Sequence, residues 1–239
     1  MVRLLRILAC ALAVVALVPA MAHASNVREY QLQYSPVVDG TQSLLIVTAI
    51  VDPAASLPTS VTVPVPAGAT LMWSGEVLGG AAEADPFREA SVESVGGMDL
   101  YTFTVSESRL AQVEVYLGPA TISGSRVEGG MVWINPGDEV PVSASVVAEP
   151  GAADLKATPA VSGEVQTNSL GETLHPLGGT RLPAGGSYAI EVSWRRGGAG
   201  DGDGAVLPIL LGALAIAVVA LIVVLARERT KVRRAASAE

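Results

Sequence analysis

Twenty-two consecutive uncharged residues, AVLPILLGALAIAVVALIVVLA at 205–226, constrain this chain more than any other stretch. A helix of that length, at about 1.5 Å rise per residue, covers the roughly 30 Å hydrocarbon layer of a bilayer. RERTKVRR follows directly, with five basic residues and one acid, while Asp201 and Asp203 precede the run. Basic residues beside a span stay on the cytoplasmic side, so the sequence predicts an outward N-terminal region and a cytoplasmic tail over 227–239. No LPxTG motif precedes the run, and LPTS at 57–60 is far upstream, so the span is expected to be retained.

The N-terminus carries a second apolar segment. MVRLLRILACALAVVALVPAMAHA has Arg3 and Arg6 before an apolar core and closes on Ala22-His23-Ala24. That pattern is read by signal peptidase, which places a signal peptide at 1–24. Cys10 lies inside it, with Leu8 where a lipoprotein signal needs a small residue, so lipidation is not expected. The mature chain then holds no cysteine, which excludes disulfides, thiol nucleophiles and cysteine metal sites. The region between signal and span must stand on its own packed core, and at about 170 residues it is long enough to do so.

Charge divides by compartment. Residues 25–204 hold eight Lys/Arg against 21 Asp/Glu, and the tail holds five basic and two acidic residues. An acidic ectodomain argues against nucleic acid as a partner. Orientation and attraction to anionic inner-leaflet lipid account for the basic tail.

Period-two patterning dominates the region between. SLLIVTAIV (43–51), SVTVPV (60–65), ATLMWSGEV (69–77), DLYTFTV (99–105), QVEVYL (112–117), MVWI (131–134), EVPVSASVV (139–147) and SYAIEVSW (187–194) read as strands. In the last of these Tyr188, Ile190, Val192 and Trp194 share one face, which makes Trp194 a core residue. No helical period is present, although SESRLAQ (106–112) is compatible with a single turn. Short strands between Gly/Pro turns indicate an all-β ectodomain of antiparallel sandwich type. RRGGAGDGDG then supplies a Gly/Asp-rich tether over 197–204.

An internal echo bears on domain number. SGEV occurs at 74–77 and 162–165, followed by SRLAQVEVYL (108–117) and TRLPAGGSYAIEVSW (180–194) in the same order. Two tandem units, 25–119 and 120–196, or a single sandwich both accommodate it. LPAGGSYAIEV also resembles the tyrosine-corner segment of fibronectin type III and related immunoglobulin-like domains. Leu182, Gly185 and Tyr188 take the corner positions, and the resemblance implies a tyrosine hydroxyl bonded back to the backbone near the turn. It covers about a dozen residues and implies no activity. The first unit lacks it, having Gln112-Val113 where the tyrosine belongs.

Chemistry-bearing residues are few. His175, in a loop by sequence, is the sole histidine after the signal; a hydrolytic triad would need Glu172 or Asp154 to orient it, and no serine lies in an elbow motif. With no second histidine, zinc has no ligand set. Glu83, Asp85, Glu89 and Glu93 offer oxygen ligands for calcium without EF-hand spacing, so a solvated acidic loop is the competing reading. Asp138-Glu139 sits in a turn sequence rather than as a separated glycosidase pair. Trp73, Tyr116 and Trp133 are the candidate ligand contacts. No catalytic residue and no cofactor is expected. The composition and signal style point to a bacterial envelope protein, single-pass and membrane-anchored, acting as a non-enzymatic interaction or accessory module beside another membrane or envelope protein. A glycan- or polymer-binding ectodomain is the alternative, and an extracellular hydrolase ranks last.

Overall fold

The computed structural model describes residues 26–38, 40–168 and 170–197. The expected signal peptide, the tether beyond Gly197, the span and the basic tail lie outside the described residues. Among those described, no helix is long and apolar enough to cross a membrane.

The described chain is all-β, with one 3-10 turn at Ala82–Ala84. Its first seven strands are β1 (Val27–Val38), β2 (Gln42–Val51), β3 (Thr59–Pro66), β4 (Thr70–Glu76), β5 (Ser91–Val95), β6 (Met98–Val105) and β7 (Leu110–Pro119). The next seven are β8 (Thr121–Ser123), β9 (Arg126–Ile134), β10 (Val140–Ala148), β11 (Ala153–Thr158), β12 (Gln166–Thr167), β13 (Thr173–Leu182) and β14 (Ser187–Arg195).

These fourteen strands are one seven-strand pattern used twice. In the first set the orders are β4-β7-β2-β1 and β3-β6-β5; in the second they are β11-β14-β9-β8 and β10-β13-β12. Adding seven to each strand number converts one into the other, and the five antiparallel pairings of the first set all recur. A further pairing, β1 with β10, is parallel and runs from Tyr30↔Val142 to Tyr34↔Val146. It fuses a layer of each set into one seven-stranded sheet, β12-β13-β10-β1-β2-β7-β4. The pattern changes over between Pro119 and Thr121, but the core does not divide there. One contiguous cluster holds Leu32, Val47, Val63 and Val113 together with Val146, Ile190 and Trp194.

Local sequence explains the layers. β14 alternates strictly, with Tyr188, Ile190, Val192 and Trp194 buried and Ala189 and Glu191 exposed. β2 is apolar on both faces: Leu45, Val47, Ala49 and Val51 enter the main core, while Leu44 and Ile46 join Val38 and the half-buried Tyr116 in a small outer cluster. Trp133 on β9 is fully buried at the seam between the sets. Its indole N–H donates to the Pro64 carbonyl of β3 at 2.8 Å, and its ring lies 5.2 Å from that of Tyr30, whose hydroxyl donates to the Thr62 carbonyl.

Two sequence expectations need correcting. Residues 106–112 form no helical turn; Ser106–Arg109 make a tight connection and Leu110 already begins β7. His175 is not in a loop but on β13, opposite Val146 of β10. Gly178, Gly179 and Pro176 weaken the strand signal there, and pairing with β10 supplies what local propensity lacks.

The alternation of strand direction gives the body two unlike ends. Connections at the end where Arg196 leaves β14 are one to five residues long, such as Ala120, Gly96-Gly97 and Gly124-Ser125. Those at the far end run from four residues to the fourteen of 77–90. At the exit end, Arg196 is clamped: its amide donates to the Ser125 carbonyl, its Nε to Glu149 at 2.8 Å and its Nη2 to the Gly40 carbonyl at 3.4 Å.

Candidate functional site

The residues singled out by sequence do not converge. Trp133 is buried in the seam and unavailable to a ligand. Tyr116 lies on the outer face of the seven-stranded sheet against Val38, Leu44 and Ile46. Trp73, half-buried on β4, lays its ring over Gly75, so close that a Cβ on Gly75 would stand 2.6 Å from it. Leu182 and Tyr188 belong to one core cluster. Leu182 is buried, Gly185 takes a φ of 72° that favours glycine, and the Tyr188 hydroxyl donates to the Gly178 carbonyl on β13. Burial raises the pKa of that phenol and keeps it a donor.

The histidine and several of the acids are engaged locally. His175 Nε2 lies 2.8 Å from Thr173 Oγ1, and burial lowers its pKa. Glu172 accepts from Asn168 Nδ2 at 2.8 Å, Asp154 pairs with Arg195 at 3.0 Å, and Glu139 pairs with Arg181 at 3.5 Å. The Asp138 carbonyl accepts from Asn135 Nδ2. In the acidic loop, Asp85 accepts the Leu78 amide at 2.7 Å. Among the described residues, no three His, Asp or Glu side chains gather within reach of one ion.

Glu76 carried no sequence signal beyond its place in SGEV, yet it organises the far end of the first unit. Its side chain is fully buried at the top of β4. Oε2 accepts the amides of Ser106, Glu107 and Ser108 at 2.8–2.9 Å, and Oε1 accepts Arg88 Nε at 2.9 Å. Burial alone would raise its pKa. The amides of Glu107 and Ser108, then Arg88 and the Ser106 amide, outweigh burial and lower it to about 2. The carboxylate therefore takes the place of a strand partner for the β6–β7 turn.

The second unit carries a shallow concavity of about 420 Å³ on the outer face of β8, β9, β14 and β11. Gly130, opposite Glu191, leaves its floor bare, and Thr121, Arg126, Glu128, Lys156 and Thr158 stand around it. Arg126 and Glu128 pair at 2.6 Å in solvent, which contributes little stability. These walls offer hydroxyls and charges of both signs, with no aligned nucleophile and base.

No family model matches the chain, and no curated protein matches it in sequence.

Proposed function

We propose that this chain is a membrane-anchored display module: exported by 1–24, held by 205–226, and presenting its far-end loops to another protein of the envelope, without turnover of its own. The observation that carries the reading is the contrast between the two ends of the body. Short turns and the Arg196 clamp crowd the end from which the chain leaves for the apolar run, while the long connections, up to the fourteen residues of 77–90, stand at the other. Loops held on a rigid scaffold are where recognition residues concentrate. The shared sheet and common core stiffen that scaffold, so the far-end loops keep a fixed spacing.

The Tyr188 latch supports an immunoglobulin-like reading of the second unit. The strand order is a variant of that plan, since β7 stands between β2 and β4 where a constant-type domain has its fifth strand. The test is purification of the full-length chain from its own membranes in mild detergent, with quantitative mass spectrometry. A stoichiometric integral-membrane partner is the expected result. Recovery of the chain alone, or from the soluble fraction, overturns the reading.

A further inference from the structure

The flank of the first unit that faces away from the second breaks the inside–outside rule kept elsewhere. β4 and β5 are the terminal strands of their sheets, and the opposite edges, β1 and β3, are the ones that meet the second unit. Leu71 stands opposite Val115, and Val92 opposite Tyr101. Directly opposed residues share a face, and both of those partners lie in the core. Leu71 and Val92 therefore face inward, yet they are 39 % and 53 % exposed. Two edges with inward apolar side chains left bare make an unfinished sandwich rather than scattered surface residues.

The 77–90 connection crosses between the sheets along this same flank. Its Pro86–Arg88 stretch pairs with the Ser74–Glu76 end of β4, the Glu76 amide donating to the Pro86 carbonyl at 3.2 Å and the Arg88 amide to the Ser74 carbonyl at 2.8 Å, so only the rest of that edge is uncovered. From Val77 to Val95 the acids are Glu83, Asp85, Glu89 and Glu93, and the sole base is Arg88. Arg88 is consumed internally, by Glu76 at 2.8 Å and Glu107 at 3.3 Å. The flank thus carries exposed apolar side chains on a segment of net negative charge.

We propose that this flank receives an extended segment of a partner protein, apolar on one side and bearing lysine or arginine on the other, laid along the open edge of β5 beside Leu71 of β4. Extended peptides add to exposed sheet edges through main-chain hydrogen bonds, with alternate side chains setting specificity. The net negative charge selects the basic face and repels a second copy, because residues 26–119 hold eleven acidic and three basic residues. The inference rests on the interaction-module reading and names the surface and chemistry that reading leaves open.

The probe is an octapeptide of alternating lysine and valine, added to the full chain in detergent and followed by tryptophan emission. Of the three tryptophans, Trp133 and Trp194 are buried, so the change reports on Trp73 of β4. Saturable binding is expected, at least tenfold tighter than for the lysine–serine and glutamate–valine octapeptides. Leu71→Ser and Val92→Ser should each weaken it at least tenfold with the melting temperature held, while Val132→Ser, exposed on β9, leaves it unchanged. Equal binding of the lysine–serine peptide, indifference to Leu71→Ser and Val92→Ser, or no saturable binding overturns the proposal. A chain that binds the peptide but fractionates away from membranes overturns the anchoring reading and leaves the flank intact.

Discussion

The indole N–H of Trp133, on β9 of the second unit, donates to the carbonyl oxygen of Pro64, on β3 of the first, at 2.8 Å. Pro64 lies on the edge of its sheet nearest the second unit, where its carbonyl has no strand neighbour on that side. The indole therefore completes a sheet edge, and does so beside the parallel β1–β10 pairing.

Trp133→Phe keeps most of the ring against Tyr30 and removes the donor, leaving the Pro64 carbonyl buried and unpaired. A loss of about 1–3 kcal/mol is expected. Chemical unfolding of the full chain measures it, and the shared core predicts one transition for wild type and variant alike. Two separable transitions would show that the units are held together only by their connection.

Tyr188→Phe isolates the corner bond. The ring stays in the core beside Ile190 and only the hydroxyl donated to Gly178 is lost. The expected cost is about 0.5–1.5 kcal/mol, plus part of the penalty of an orphaned carbonyl. No change in the unfolding midpoint would mean that the Gly178 carbonyl finds water instead.

Adjacent glycines on β9 should respond differently to the same methyl group. A Cβ on Gly129 would stand 2.6 Å from the Tyr34 hydroxyl oxygen and 2.7 Å from Cβ of Pro36, both packed beneath the strand. Gly129→Ala must displace β1 and should cost about 1–3 kcal/mol. Gly130 faces outward, and a Cβ there meets the Ile190 carbonyl at 3.1 Å as its closest neighbour. Gly130→Ala should be the milder change, while filling the floor of the concavity. Equal destabilisation of the two would contradict the packing of Tyr34 under Gly129.

Strands with apolar residues at period two were legible wherever one face is buried, as β14 and β10 show. β1 has the same pattern in Tyr30, Leu32 and Tyr34, buried on one side while Glu29, Gln31 and Gln33 take the other, and attention to that period would have placed it. β5 and β13 were illegible for a physical reason. β5 is exposed throughout, and β13 carries Pro176, Gly178 and Gly179, so pairing rather than side-chain pattern defines them. The repeat surfaced in only a few letters, of which the Val113-Glu114-Val115 and Ile190-Glu191-Val192 segments fall on equivalent strands β7 and β14. Trp133 shows the limit for sites. Composition cannot say whether a tryptophan faces a ligand or a seam, because the seam arises from a parallel pairing between strands more than a hundred residues apart.

Glu76 gives the chain a specific acid sensitivity. Its carboxyl drops from an ordinary 4.5 to about 2 on folding, so the folded state holds the charged form more firmly than the unfolded chain does. The stabilisation is fully present above about pH 4.5 and disappears as the pH falls through about 2. At one pKa unit per 1.36 kcal/mol, the shift corresponds to about 3–4 kcal/mol. Glu76→Gln keeps the shape but turns an amide toward the Ser106–Ser108 donors and leaves Arg88 without its closest anion. Other carboxylates titrate in the same range, so the informative quantity is the difference in unfolding free energy between wild type and variant. That difference should be largest at pH 6–7 and shrink steadily from pH 4.5 toward pH 2. A gap that stays constant across this range would mean that the Ser106–Ser108 turn is held by shape alone and that the charge on Glu76 contributes nothing.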